Sequence, residues 1–261
     1  MEFYRFDLLK RYENCIHGVT LKNMNMPYNC SLALHTGEEA SLIVQNRQAV
    51  TDALGIGVQY QIVLADQTHS DHIHIVTQAE TRGWRERESA IASCDALITA
   101  QTEVMLGILT ADCVPILLFD PHQEVVAAVH AGWKGTKANI VAKTVAHMET
   151  HFGCNPQNII AAIGPSIGQC CYEVGEEVAE HFSCIEGAYQ KRENGKYMLN
   201  LKHINKYQLL KSGLLSNNIE QSSVCTSCDT ERFFSYRKEQ GCSGRFMSLI
   251  GISPEAEIGR R

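Results

Sequence analysis

The stretch Thr110–Thr136 reads TADCVPILLFDPHQEVVAAVHAGWKGT. Val114–Asp120 and Glu124–His130 are apolar and β-branched, and Asp-Pro-His-Gln between them is turn chemistry, so the stretch predicts a β-hairpin. Pro121 suits the second position of a type I turn and Asp120 the first. With the turn centred between Pro121 and His122, Phe119 faces Glu124 and Cys113 faces His130. Directly opposed residues carry Cβ atoms roughly 4.5–5.5 Å apart. A thiolate and an imidazole at that spacing can share one metal ion or one proton. A one-residue slip would turn them to opposite faces.

Working outward, the Gly132–Gly135 turn leads to a predicted helix over Lys137–Phe152. Upstream, Ser31–His35 reads as a strand and Ser41–Leu54 as a helix carrying Asn46 and Arg47. Short strands are expected at Ile62–Ala65 and Ile73–Gln78, flanking Gln67-Thr68-His69-Ser70, and at Asp95–Thr99 and Val104–Leu109. Downstream, Ile159–Ile163 reads as a buried strand ending in Gly164-Pro165-Ser166. Helices are expected at Val174–Phe182 and His203–Leu215. Late strands are expected at Val224–Cys225, Phe233–Tyr236 and Phe246–Ile252. Hairpin-linked strands with segregated helices favour an α+β architecture.

The chain of 261 residues has 44% hydrophobic residues and a net charge of −6. It can bury a large core, and no linker or repeat divides it, so one domain over residues 1–261 is expected. The charge gives no basic field for nucleic acid. No apolar run approaches the ~20 residues of a membrane span. The N-terminus lacks a secretory apolar region. The eleven cysteines then read as reduced thiols in a cytoplasmic protein.

Four groups of residues could carry chemistry. His69, Cys113 and His130 each sit beside a strand end. Three N/S ligands with one open position is the pattern of catalytic zinc. Without metal the same atoms make a nucleophile–base pair, or simply a buried cysteine with surface histidines. His72 and His74 are rival ligands, but they alternate with isoleucines as on a half-exposed strand. Second, Cys225-Thr-Ser-Cys228, with Cys242 beyond it, is half of a zinc pattern, with no second CxxC or HxxxH at the right spacing. It reads as incidental, core-facing cysteine. Third, the glycine-rich stretch Ile163–Gly175 could bring backbone N–H groups close to a ligand or simply turn a strand into a helix; it matches no phosphate-loop pattern, and its adjacent Cys170 and Cys171 are poorly placed for a mutual disulfide. Fourth, Arg237 and Arg245 among aromatics could clamp an oxyanion or make structural ion pairs, with ion pairing favoured for Arg245. Lys134 is the nearest cation in sequence to His130.

The blocks QTHSD, CDALIT, TADCVPILLFD, VHAGWKGT, IGPSIGQCCYEVG and FFSYRKEQGCSGRF, in that order, resemble the bacterial family called laccase-domain, multicopper polyphenol oxidase or peptidoglycan editing factor proteins. Its members are described as purine nucleoside phosphorylases with adenosine deaminase activity. The resemblance spans about Ser31 to Ile252. It implies a single α/β/β/α four-layer domain, similar to toxin-type Cys–His deamidase domains, and a metal site at His69, Cys113 and His130. It also implies zinc as cofactor, with copper as an alternative. Nucleoside and phosphate are the implied small-molecule substrates, and adenosine, inosine and methylthioadenosine the candidates. Lys134 stands where arginine is frequent, keeping the charge without the bidentate fork.

The same residues allow two other activities. One is copper-dependent polyphenol oxidation. True multicopper oxidases need several HxH motifs and a blue-copper site in an all-β frame, whereas the one HxH here is His72-Ile-His74. The other is amide hydrolysis by a Cys–His pair, which would suit editing of cell-wall precursors.

Overall fold

The computed structural model describes residues 1–78, 80–241 and 243–254; Cys242 and the residues after 254 lie outside the described residues. Its centre is two sheets. The first has five strands in the order β1-β2-β14-β6-β3, where β1 is Phe3–Tyr4, β2 Cys15–Thr20, β3 Gln61–Leu64, β6 Val104–Thr110 and β14 Phe246–Ile252. The second has six, in the order β13-β9-β7-β8-β5-β4. These are β4 Ile73–Ile75, β5 Ala96–Thr99, β7 Val114–Asp120, β8 Val125–Ala131, β9 Ile160–Ile163 and β13 Ile219–Gln221. A small antiparallel sheet joins β10 (Glu173–Val174), β12 (Tyr197–Leu199) and β11 (Tyr189–Lys191). The helices are α1 Ala40–Leu54, α2 Trp133–Lys137, α3 Ile140–Phe152, α4 Glu176–Ala179 and α5 Leu201–Lys211. The fold is mixed α+β, with several sheets and few helices.

The period-2 alternation of strand side chains explains how the layers stack. In β7, Leu117 and Phe119 join a core with Leu106, Ile108 and Ile250 of the first sheet, so the two sheets meet face to face. Ile116 and Leu118 point the other way and pack with Ile140, Val141, Val145 and Met148 of α3 and Ile204 and Leu209 of α5. On the far side of the first sheet, Met105, Met247 and Leu249 pack with Val50 of α1. Strands buried on both faces read as continuous apolar runs, which is why β7 and β14 were visible in the sequence. Each fully buried large apolar side chain contributes about 1.5–3 kcal/mol. Among the described residues, no helix is long and apolar enough to cross a membrane.

Several expectations need correction. The hairpin register is shifted by two residues: Pro115 faces His130, Val114 faces Ala131 and Asp120 faces Val125. Asp120 Oδ1 accepts from the backbone N–H groups of His122 and Gln123, and Glu124 adopts a left-handed φ of 51°. The loop therefore spans 121–124. A tight type I turn would splay the strands. A shift of two keeps the face, so Cys113 lies diagonal to His130 on the same side.

Ser31–His35 is not a strand. Its backbone is satisfied by side chains instead: Asn46 Nδ2 donates to the Ser31 carbonyl, and Arg47 Nε and Nη2 donate to the Leu32 carbonyl. The helix expected over Lys137–Phe152 breaks into α2 and α3 at Asn139, whose φ is 60°. Val224–Cys225 and Phe233–Tyr236 form no strand. Val174 belongs to β10, ahead of the short helix α4.

Candidate metal centre

The polypeptide leaves the first sheet at the end of β6 and enters the second at β7. Cys113 sits in that crossover, so the site lies at the seam between the sheets. Asp112 holds the crossover with a φ of 89°, a conformation costly for a non-glycine residue and sustained only by its surroundings. Asp112 Oδ1 accepts from the Thr226 hydroxyl at 2.6 Å, and Oδ2 accepts from the Arg237 backbone N–H at 2.7 Å. Its carbonyl accepts from Ile167 N at 3.0 Å.

His69 comes from the loop between β3 and β4. Gln67 ties that loop to β6 as a strand residue would: its side-chain amide donates to the Leu109 carbonyl and accepts from Leu109 N, both at 2.8 Å. His69 itself has a φ of 61°. The loop wraps the carboxylate of Asp95, a fully buried residue just ahead of β5. Asp95 accepts from the backbone N–H groups of Thr68, His69 and Ser70 and from the Ser70 hydroxyl.

The same carboxylate orients the third member. Asp95 Oδ1 lies 2.7 Å from Nδ1 of His130, and the Asp95 carbonyl accepts from His130 N at 2.7 Å. This places the proton on Nδ1 and leaves Nε2 facing the cysteine. His69 Nε2 is 3.8 Å from Cys113 Sγ. One ligand atom from each of His69, Cys113 and His130 lies within 4.8 Å of the other two.

The donor set fits a metal ion. Two imidazoles and one thiolate suit zinc or copper, and a carboxylate behind a histidine ligand is the usual supporting partner. Gly132 leaves the room required: a Cβ there would stand 2.9 Å from His69 Cδ2 and 3.1 Å from Cys113 Sγ. Burial opposes ionisation of Cys113, yet the charge and hydrogen bonds of His130 and His69 outweigh it and bring the thiol down to about 6. Burial also opposes charging of His130, but the Cys113 thiolate and the Asp95 carboxylate raise it to about 9. For Asp95, too, burial is outweighed, by His130 and Ser70, and its carboxyl falls to about 2. In the metal-free chain these groups form a thiolate–imidazolium–carboxylate row.

The trio opens into a cavity of about 530 Å³. Arg237, Arg245, Tyr172 and Tyr236 also line it. The Arg237 guanidinium lies 5.3 Å from the Tyr172 ring centre and donates to the Glu173 carbonyl, and that of Arg245 lies 5.7 Å from the Tyr236 ring centre. The ion pairing expected for Arg245 is absent among the described residues: its Nη1 donates to the Ser243 hydroxyl and to the carbonyls of Ser243 and Gly244.

Lys134 does not line the cavity; it is exposed on α2, with its ammonium over the Trp133 ring. His72, just ahead of β4, and His74 within it are both exposed, and His72 Nδ1 contacts the Ser93 carbonyl. Asp95 and Asp112 were missed from sequence. An aspartate between Cys94 and Ala96 at the head of an apolar strand was the available signal for the first.

Of the cysteines read as incidental and core-facing, Cys228 is exposed and Cys225 half-buried. Both converge with Cys170 and Cys171 in one cluster.

Comparison with known proteins identifies the family. Residues 17–253 match the family described as multi-copper polyphenol oxidoreductase laccase. The purine nucleoside phosphorylase YlmD of Bacillus subtilis (strain 168) is 35% identical over 246 residues, covering 91% of this chain and 88% of that protein. Adenosine deaminase RL5, from an unknown prokaryotic organism, is 34% identical over 226 residues, covering 84% and 86%. The crystal structure of YlmD from Geobacillus stearothermophilus superposes with a TM-score of 0.91 at 30% identity, covering 97% of both chains. By this coverage and identity, the chain belongs to the multi-copper polyphenol oxidoreductase laccase family, which includes proteins named as purine nucleoside phosphorylases.

Proposed function

We propose that the chain is a zinc-dependent purine nucleoside phosphorylase that also deaminates adenosine, acting in the cytoplasm on adenosine, inosine or methylthioadenosine. One observation carries the reading: the His69–Cys113–His130 set opens into a cavity that also presents the arginines Arg237 and Arg245. Its volume of about 530 Å³ falls within the roughly 300–1,000 Å³ of small-molecule sites. The names of the relatives support a nucleoside-processing role.

His69, Cys113 and His130 would hold the zinc, which when bound would supply Lewis acidity and lower the pKa of water toward neutrality. The chain's own residues do the rest. Asp95 keeps His130 in the Nδ1–H form, with Nε2 turned toward the site. Arg237 and Arg245 bind phosphate, since guanidinium pairs bidentately with oxyanions. Leu34, Leu64, Leu109 and Ile167 exclude water around the base and ribose. In phosphorolysis, nucleoside and phosphate give free base and ribose 1-phosphate. In deamination, adenosine and water give inosine and ammonia. We read the packing as four layers, helix, sheet, sheet, helix, in one domain over residues 1–261, as in toxin-type Cys–His deamidase domains.

A second reading is amide hydrolysis with Cys113 as nucleophile, favoured by the metal-free row Cys113–His130–Asp95. Incubation with each nucleoside, with and without phosphate, separates the activities by product. Ribose 1-phosphate, or inosine with ammonia, supports the proposal. Oxygen uptake with a phenol and no nucleoside turnover would favour a copper oxidase instead.

A further inference from the structure

We propose that Cys170, Cys171, Cys225 and Cys228 form a second metal centre, a four-thiolate site for zinc, separate from the His69–Cys113–His130 set. The four sulfur atoms all lie within 4.8 Å of one another. Cys228 Sγ stands 3.4 Å from Cys171 Sγ and 3.7 Å from Cys170 Sγ. Zinc–sulfur bonds of about 2.3 Å in a tetrahedron put neighbouring sulfurs about 3.8 Å apart, so the cluster already has that scale. Four thiolates with no oxygen or nitrogen donor select a soft tetrahedral ion over magnesium or calcium.

The backbone is shaped around the sulfurs. The N–H of Gly168 donates to Cys225 Sγ at 3.1 Å. A Cβ on Gly168 would stand 3.1 Å from Cys225 Cβ and 3.2 Å from Cys170 Sγ, so a side chain there would crowd the cluster. The segments are joined by Thr226 N donating to the Ser166 carbonyl at 3.1 Å. Buried Lys202 donates to the Ser222 and Val224 carbonyls, bringing one positive charge to the strand of chain that leads into Cys225. On binding, the thiols release their protons to solvent and the ion takes four thiolates, leaving a net negative centre that this ammonium partly offsets.

The position gives the site a purpose. Cys170 and Cys171 lie between Ile167 and Tyr172, both of which line the cavity, and Cys225–Cys228 precedes Arg237. A metal there fastens the glycine-rich loop to the segment that carries the anion-binding arginine. CxxC supplies one half of the ligands and the adjacent pair supplies the other.

The test is zinc content of the intact chain, purified under reducing conditions and dialysed against micromolar zinc. Two zinc ions per chain are expected. Cys171→Ser/Cys228→Ser should hold one, and His130→Ala should hold one. Cobalt loaded into His130→Ala should show the strong thiolate-to-cobalt charge transfer of several sulfur ligands. Should the cysteine variant fold poorly, native iodoacetamide labelling of the unsubstituted chain gives the answer. The exposed Cys170 and Cys228 should be protected with zinc and become labelled after chelation. One zinc per chain with labelling indifferent to chelation would overturn the proposal. So would a Cys171–Cys228 disulfide in the metal-free chain that zinc and reductant together do not replace with bound metal.

Discussion

Asp95 Oδ1 lies 2.7 Å from His130 Nδ1, and the same carboxylate gathers the N–H groups of Thr68, His69 and Ser70. One buried acid therefore sets the orientation of two histidines that come from different loops. The site is assembled through Asp95 as much as through the ligand side chains themselves.

Asp95→Asn keeps the size but loses the charge, and its amide can accept at one atom where the carboxylate accepted at two. Zinc affinity at the His69–Cys113–His130 set should fall by about 10–100-fold, the usual effect of removing a supporting carboxylate. Chelator competition measures it. Unchanged affinity would mean that the histidines are oriented by something else.

Gly132→Ala tests the steric side of the same site. Gly132 has φ −71° and ψ 174°, which alanine adopts freely, so backbone strain does not enter. The added methyl would press on His69 and Cys113. Metal affinity and turnover should drop together, while the metal-free chain still unfolds cooperatively. Retained affinity would show that the ligands sit farther from Gly132 than the metal-binding geometry here requires.

Arg237→Ala should raise the KM for phosphate about tenfold or more, with a smaller effect on adenosine deamination, which uses no phosphate. Arg237→Lys should recover only part of the loss, because an ammonium lacks the bidentate fork. Equal losses in both reactions would place Arg237 in nucleoside binding or in the fold.

His17 gives the fold a pH dependence of its own. It is 1% exposed, and its Nε2 accepts from Phe6 N at 3.1 Å. Burial drives its pKa from 6.5 down to about 4, with a smaller downward push from the Arg5 charge. The native state holds the neutral ring while the unfolded chain takes a proton below 6.5. The contribution is therefore complete above pH 6.5 and lost as pH falls toward 4, on the order of 3 kcal/mol in all. His35 is also lowered by burial and adds the same sign, whereas Asp95 acts at lower pH. Denaturant unfolding at stepped pH should show this slope flattened in His17→Gln. An equal slope in both chains would remove His17 as its source.

Much of this was legible where burial is two-sided. Phe246–Ile252 and Val114–Asp120 are continuous apolar runs and form strands at those bounds. β2 went unseen because His17 and Gly18 interrupt its apolar character, although both are buried in the sheet. The short strands β10, β11 and β12 carry too few residues for any period to show. Ser31–His35 looked like a strand because Leu32-Ala33-Leu34 is apolar, but Asn46 and Arg47 replace the ladder. The face shared by Cys113 and His130 was legible despite the wrong register, since a slip of two preserves it. The role of Asp95 was not, because its partners are scattered over the loop 68–70 and β8. The cysteine cluster was hidden for the same reason: its halves are far apart in sequence, and one is an adjacent pair with no recognised spacing.

The most direct measurement is turnover of adenosine with phosphate by the same preparation as purified, after chelation, and after zinc is restored, with mass spectrometry of Cys113 at each stage. The expected products are ribose 1-phosphate and adenine, or inosine and ammonia, lost on chelation and regained with zinc, with Cys113 unmodified throughout. Activity that survives chelation together with a substrate adduct on Cys113 would contradict zinc dependence and make the cysteine the nucleophile.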